Sequence, residues 1–199
     1  MANKETVAIT KEQFDEIIDT MRSGSLFFRS NDRIATMLAL EGNLGLRIGD
    51  LLHMRFDDII KDGKRYRFRS TMVEEKTEKE RVFTVPDEIR NYIKDYCDRN
   101  DIPYDVKMFN PKDRNPKNQE RTIQRYLCKV CKYLGYENRD AIGTHSFRKY
   151  YATSIFEETH DIRLVQRLLQ HSSVETTMRY TGITDERLED AIRNHVNLR

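Results

Sequence analysis

Several features that define other classes of protein are missing from this 199-residue sequence. No apolar run approaches the roughly 18 residues that a membrane-spanning helix requires, and the polar start at residues 1–5 is unlike a signal peptide. There are no internal repeats. Hydrophobic residues make up 38% of the chain and charged residues 34%, which is the composition of a soluble globular protein with a dense ionic surface. We therefore expect a cytoplasmic protein.

Cysteine is scarce, with Cys97, Cys128 and Cys131 as its three instances. Cys128 and Cys131 have the spacing of half a zinc site, but a structural zinc ion needs four ligands and no second Cys/His pair stands at a suitable distance. Cys131 instead falls on an apolar helical stripe and is predicted to be a small core residue. We expect no metal and no cofactor, and the odd number of cysteines suits a reducing compartment.

The chain also lacks a strong net charge, which is only +2 and argues against a simple basic protein that coats DNA. Its charges are unevenly distributed. Residues 107–139 carry nine Lys/Arg against three acids, whereas the first twenty residues are acidic. A charge run of this kind is usually a solvated face, so it predicts a nucleic-acid contact only in combination with other signals.

The periodicity is mostly helical, with one strand region. A capping box at residues 10–13 begins the first helix, and period-two alternation predicts a hairpin whose strands flank a polar turn at residues 74–79. The predicted helices are 10–22, 33–44, 47–55, 87–99 and 185–195, and the predicted strands are 65–69 and 81–85. A loop at residues 103–118 holds three prolines and separates the hairpin part from a C-terminal helical part. The predicted fold class is α+β, mainly α-helical with a small antiparallel sheet, in a single domain.

The last third of the chain holds residue types that suit attack on a phosphodiester. Arg148 can hold phosphate oxygens with its planar guanidinium, His145 lies one helical turn before it, and Tyr180 offers a phenolic nucleophile. Each is weak evidence alone, because most tyrosines are packing residues and a single histidine such as His171 is usually a core or loop residue. Their joint order and spacing indicate phosphoryl transfer.

That spacing resembles the C-terminal signature of the tyrosine recombinases, the family that includes phage and transposon integrases. The family pattern reads His-x-x-Arg, then Leu-Gly-His-Ser, then a tyrosine nine residues after that histidine. Residues 144–149 and 164–173 match the first two parts, and Tyr180 follows His171 by nine residues. Further upstream, residues 45–52 resemble the family's first-arginine motif, and residues 76–82 resemble its lysine-bearing β-hairpin. The resemblance runs from about residue 10 to about residue 187.

Four positions depart from the family pattern without removing a reactive group. Asp50 stands where glutamate is usual, which keeps the carboxylate but shortens its reach. Leu44 replaces a frequent threonine, Phe147 replaces a common leucine, and Gln170 replaces the glycine before the histidine.

The resemblance implies the fold of a tyrosine recombinase catalytic domain and a set of reactive groups, which are Arg47, Lys76, His145, Arg148, His171 and Tyr180. In this scheme Tyr180 attacks the scissile phosphate, and the two arginines neutralise its non-bridging oxygens. The family pattern selects Lys76 over its neighbour Lys79 as the general acid. His145 assists proton movement and His171 binds the phosphate. The reaction needs neither metal nor ATP.

The same resemblance implies double-stranded DNA as the partner, a homotetramer on DNA, a monomer in free solution and association with the nucleoid. Residues 184–199 are a candidate exchange helix that packs either on its own protomer or on a neighbour. The chain has no room for the N-terminal DNA-binding domain of most integrases. It is therefore either an excised catalytic domain spanning residues 1–199, which we favour, or a short invertase of the fimbrial-switch type.

Two other functions stay open at this point. A type IB topoisomerase uses the same tyrosine chemistry to relax supercoils, although the chain order of the motifs favours a recombinase. A DNA-binding regulator without catalysis is disfavoured, because every reactive group is present.

Overall fold

The computed structural model of the chain describes residues 6–70, 81–181 and residue 193. Lys76 and the predicted last helix therefore lie outside the described residues. The described helices are α1 Lys11–Ser23, α2 Asp32–Leu44, α3 Ile48–His53, α4 Asp87–Arg99, α5 Pro116–Tyr133, α6 Thr144–Thr159, α7 Ile162–Leu169 and α8 Val174–Thr181. The strands are β1 Ile59–Asp62, β2 Arg65–Ser70 and β3 Arg81–Val85. Within these ranges no helix is both long and apolar enough to cross a membrane.

The first helix begins at the predicted capping box. The hydroxyl of Thr10 accepts a hydrogen bond from the backbone N–H of Gln13 at 3.2 Å, and the Gln13 side chain accepts one from the Thr10 N–H at 3.1 Å. These two bonds satisfy N–H groups that have no partner inside the helix. The predicted bounds of α1, α2 and α4 agree with the structure to within a residue or two.

The sheet is antiparallel in the order β1-β2-β3. The predicted hairpin is confirmed, since Tyr66 pairs with Val85 and Ser70 pairs with Arg81. Strand β1 was not predicted. It pairs with β2 from Ile59 opposite Phe68 onwards, and its four residues are too few to show alternation.

Two predicted boundaries were wrong for identifiable reasons. The third helix ends at His53 rather than at residue 55, because the carbonyl of Met54 accepts the N–H of Met108 at 2.9 Å and the Asp58 carboxylate accepts the N–H of Arg55 at 3.0 Å. The proline-rich loop ends earlier than predicted. Pro116 is the first residue of α5, a position where a missing backbone N–H costs nothing.

The core is organised around α2, which is buried along most of its length and packs against α1 and α6. A continuous apolar cluster joins α1 to α5 and the start of α6. Cys131 is buried in it, as predicted from its helical stripe, whereas Cys128 is exposed. A second, smaller cluster of Ala152, Val165 and Leu169 holds α6, α7 and α8 together, and Tyr180 packs against it.

Candidate active site

Arg148 joins the two halves of the candidate site. It lies in the second turn of α6, and its side chain is 1% exposed. One guanidinium nitrogen donates to the carbonyl of Gly45, and the other terminal nitrogen donates to the carbonyl of Leu169 at 2.7 Å. Gly45 stands two residues before Arg47, and Leu169 stands two before His171. A single buried guanidinium therefore fixes the segments that carry two other predicted reactive residues.

Gly45 ends α2 in the left-handed conformation, with φ at 61°. A Cβ atom added here would stand 2.5 Å from the ring of Tyr151, so the position requires glycine for both backbone and space. The turn leads directly into Arg47, which is half-buried at the start of α3. The Asp50 carboxylate accepts the Arg47 backbone N–H at 3.2 Å. The shortened acid of the motif thus still contacts the arginine segment.

His171 and Tyr180, nine residues apart in the sequence, lie against each other in the structure. Their ring centroids are 4.7 Å apart at an interplanar angle of 69°. The Nδ1 atom of His171 lies 3.1 Å from the hydroxyl of Thr177, one turn before Tyr180 on α8. The turn between α7 and α8 is closed by Gln166, whose side chain donates to the His171 carbonyl at 3.1 Å.

Two residues of α6 hold Tyr180 from the other side. The Thr153 hydroxyl donates to the Tyr180 carbonyl at 3.2 Å. The ammonium of Lys149 lies 5.4 Å from the centre of the Tyr180 ring, within the range of a cation–π contact, and also donates to the carbonyl of Thr6. Lys149 therefore places a positive charge against the face of the Tyr180 ring.

His145 lies at the exposed edge of this cluster. The protein atoms around its ring withdraw it partly from water and lower its pKa, and the positive charges of Arg148, Arg47 and Lys149 lower it further. A histidine whose pKa is held below its ordinary value is mostly neutral near pH 7, so it is able to accept a proton.

A buried carboxyl group lies within electrostatic range of Arg148. Glu41, in the last turn of α2, has no exposed surface, and neither of its carboxyl oxygens has a hydrogen-bond partner among the described residues. Burial raises its pKa well above the ordinary value. The charge of Arg148 opposes this rise, and Asp50 adds to it. Burial thus favours the neutral form of Glu41 more strongly than in a solvated glutamate.

The structure brings together five of the six residues that the sequence predicts, which are Arg47, His145, Arg148, His171 and Tyr180. The sixth, Lys76, lies outside the described residues. Sequence reasoning missed Glu41, Lys149, Thr153 and Thr177. Only Lys149 had a local signal, since it directly follows Arg148 in the matched motif. Within the described part of the chain, no three His, Cys, Asp or Glu residues are grouped as metal ligands would be.

Comparison with known proteins agrees with this geometry. The profile of the phage integrase family matches residues 8–187, so the chain belongs to that family. Tyrosine recombinase XerA of Pyrococcus furiosus is 28% identical over 187 residues, which cover 93% of this chain and 60% of XerA.

Two solved structures share the fold. XerH site-specific recombinase, bound to its palindromic difH substrate in a post-cleavage complex, matches with a TM-score of 0.65 at 20% identity and covers 96% of this chain and 53% of XerH. The catalytic domain of bacteriophage HP1 integrase matches with a TM-score of 0.58 at 16% identity and covers 96% of both chains. The predicted fold class, a tyrosine recombinase catalytic domain, is confirmed. The chain spans about three fifths of the length of XerA.

Proposed function

We propose that this chain is the catalytic domain of a site-specific DNA recombinase that cleaves and rejoins strands through a 3′-phosphotyrosine at Tyr180. The observation that carries the proposal is the assembly of Tyr180 and His171 in ring contact, on a turn whose backbone is bound by the buried Arg148. Arg148 also binds the turn that leads to Arg47. The hydrogen bonds of Arg148 therefore fix the segment that carries Arg47 relative to the segment that carries His171 and Tyr180.

In the proposed reaction Tyr180 attacks the scissile phosphate and releases a 5′-hydroxyl. Arg47 and Arg148 neutralise the non-bridging oxygens as negative charge builds on them, which is the role that metal ions have in other phosphoryl-transfer enzymes. His171 donates to the phosphate, and His145 accepts a proton from the nucleophile. The phosphotyrosyl bond retains the energy of the broken bond. A second 5′-hydroxyl therefore reverses the step without ATP.

Lys76 supplies the proton to the departing 5′-oxygen in this scheme, and the family pattern is its support. The proposed partner is double-stranded DNA, in line with the solved complexes of XerH with its difH substrate and of the Tn1549 transposon integrase with transposon right end DNA. An exposed basic face of α5, with Arg121 and Arg125, supports the same partner. We further propose a homotetramer on DNA, a monomer in solution, and residues 184–199 as the exchange helix.

The nucleophile is tested directly with Tyr180→Phe. The substrate is a nicked duplex, and the readout is a protein–DNA complex that survives denaturant. We expect Tyr180→Phe to bind the duplex as well as the wild-type chain and to form no such complex, because the ring contact with His171 is kept and only the attacking oxygen is lost. Tyr133→Phe, at a half-exposed ring on α5 outside the site, should form the complex normally. A wild-type yield from Tyr180→Phe would contradict the assignment.

A further inference from the structure

A pocket lies where the beginning of α2 meets the beginning of α5, away from the candidate active site around Tyr180. Its polar lining includes Arg33 from the first turn of α2, Lys112 and Arg114 from the preceding loop, and Gln119 from α5. Gly45 and the candidate active site stand at the opposite end of α2, a helix of 13 residues. A helix of that length spans about 20 Å, so the pocket is separate from the site around Tyr180.

The acids closest to these cations in sequence are engaged elsewhere. Asp32, next to Arg33, pairs with an arginine of α1 and an arginine of α4, with an N–O distance of 3.5 Å in each case. Asp113, between the two loop cations, pairs with Lys107. Across residues 6–70 and 81–181, no acidic side chain pairs with any of the three cations of the pocket. Their positive charges are therefore not neutralised within this part of the protein.

Gln119 adds an uncharged donor to the lining of the pocket. Its side chain is 8% exposed and lines the pocket, yet no other group in the described part of the chain hydrogen bonds to its amide. An oxygen atom bound in the pocket would accept a hydrogen bond from this amide.

The pocket is also held in shape before any ligand binds. One guanidinium nitrogen of Arg33 donates to the carbonyl of Phe109 at 2.6 Å, which fixes the orientation of the guanidinium group. Burial and, to a lesser degree, the nearby Arg114 lower the pKa of Arg33, as expected where two guanidinium groups approach each other without an anion. The side chain of Asn110, 3% exposed, binds the backbone of Arg114 at both its N–H and its carbonyl, at 3.0 and 2.7 Å.

We propose that Arg33, Lys112, Arg114 and Gln119 form a binding site for a phosphate group. A phosphate offers several acceptor oxygens and a full negative charge, which matches a cradle of three cations and one amide donor better than a single carboxylate does. Two sources share this chemistry. One is a backbone phosphate of bound DNA, remote from the scissile phosphate, and this source rests on the proposed function. The other is a free phosphate, which does not.

The first arm of the test uses inorganic phosphate and requires no DNA. The melting temperature of the protein is measured while sodium phosphate replaces sodium chloride at constant ionic strength. A ligand that binds the folded state raises this temperature in a saturable way. We expect Arg114→Ala and Gln119→Leu each to weaken the binding by about tenfold or more, the effect of one lost charge-assisted hydrogen bond. Arg29→Ala, at an exposed cation outside the pocket, should respond as the wild type does.

The second arm identifies the source. Binding of a short duplex is measured against salt concentration, and loss of one phosphate contact should reduce the slope of log K against log salt by about 0.9 for Arg114→Ala but not for Arg29→Ala. A reduced slope assigns the pocket to DNA, and an unchanged slope with a lost phosphate response assigns it to free phosphate. Gln119→Leu removes a hydrogen-bond donor and leaves the net charge unchanged. Weaker phosphate binding by this variant would therefore show a specific contact and not a general electrostatic attraction. If Arg114→Ala and Gln119→Leu both match the wild type in both arms, the proposal is wrong. Failure of the Tyr180 test would leave the first arm unaffected.

Discussion

Glu41 places a carboxyl group with no exposed surface within the field of Arg148, at a position that a sequence pattern gives no reason to examine. Burial dominates its titration and raises its pKa well above the ordinary value. In the unfolded chain the same group titrates near pH 4.3. At any pH between the pKa of Glu41 in the unfolded chain and its higher pKa in the folded protein, the folded protein binds more protons than the unfolded chain does. The free energy of unfolding therefore falls as the pH rises through this range.

This sign gives a prediction for Glu41→Gln, which keeps the shape of the side chain and removes its titration. The stability of the variant relative to the wild type should increase with pH above about 4.3, by up to about 1.4 kcal/mol per pH unit while the wild-type group still binds its proton. Urea denaturation at a series of pH values measures the difference. Glu41→Met, which also cannot titrate, should show the same trend. A variant that loses stability relative to the wild type as the pH rises would mean that Glu41 is ionised and stabilises Arg148 as its counter-ion.

The proposed reactive residues were predictable from the sequence, whereas the residues that position them were not. Arg148, His171 and Tyr180 stand in a motif whose spacing is visible in one dimension. Glu41 and Thr153 reach the site only because α2, α6 and α8 pack together, with about 110 residues of chain between the two. No local pattern marks them, because most glutamates are solvated and a threonine within a helix usually bonds to the backbone of its own helix.

Among the elements, the turn between α7 and α8 explains a departure from the family pattern. Gln170 ends α7 in the left-handed conformation, with φ at 53°. Glycine is the residue that adopts this conformation without steric cost, which accounts for its place in the family motif. The turn must be tight because His171 follows at once and lies in ring contact with Tyr180 on α8.

We predict that Gln170→Gly stabilises the protein by about 1 kcal/mol, because the cost of a side chain in the left-handed region exceeds the added entropy of the unfolded chain. Thermal or urea denaturation measures the change. His160→Gly is a matched variant, since His160 ends α6 with the same φ of 53° and lies outside the matched segments 144–149 and 164–173. It should give a similar gain. Gln170→Val, with a β-branched side chain, should destabilise the protein, and a stable valine variant would count against a strained turn.

The elements also show where sequence periodicity stops being informative. The capping box of α1 and the alternation of β2 and β3 are local, and the structure confirms all three. Strand β1 has Ile59 buried and Ile60 exposed, so its register is set by pairing with β2 rather than by its own pattern. The early end of α3 depends on a hydrogen bond from Met108, far along the chain. Such long-range contacts override local preference.

At the scale of the whole molecule, the proposed reactive groups come from well-separated parts of the chain. Arg47 follows the buried α2, the histidines and Tyr180 come from α6 to α8, and Lys76 belongs to the connection between β2 and β3. Lys76 and Lys79 both lie in the sequence between Ser70, the last residue of β2, and Arg81, the first residue of β3, and outside the described residues. The sequence motif selects Lys76. The structure describes the strands on either side of it.

The choice between the two lysines has a chemical test. A 5′-alkoxide leaves slowly until it is protonated, whereas a thiolate leaves without help because it is much less basic. Lys76→Ala should therefore slow cleavage of ordinary DNA by about a hundredfold or more, yet cleave a substrate with sulfur at the 5′-bridging position almost normally. The yield of covalent complex over time on both substrates measures the effect.

Arg148→Ala, which removes a positive charge that stabilises the non-bridging oxygens, should be slow on both substrates. Lys79→Ala should be mild on both, and if it instead shows the sulfur rescue while Lys76→Ala does not, the acid is Lys79 and the motif alignment is shifted by three residues.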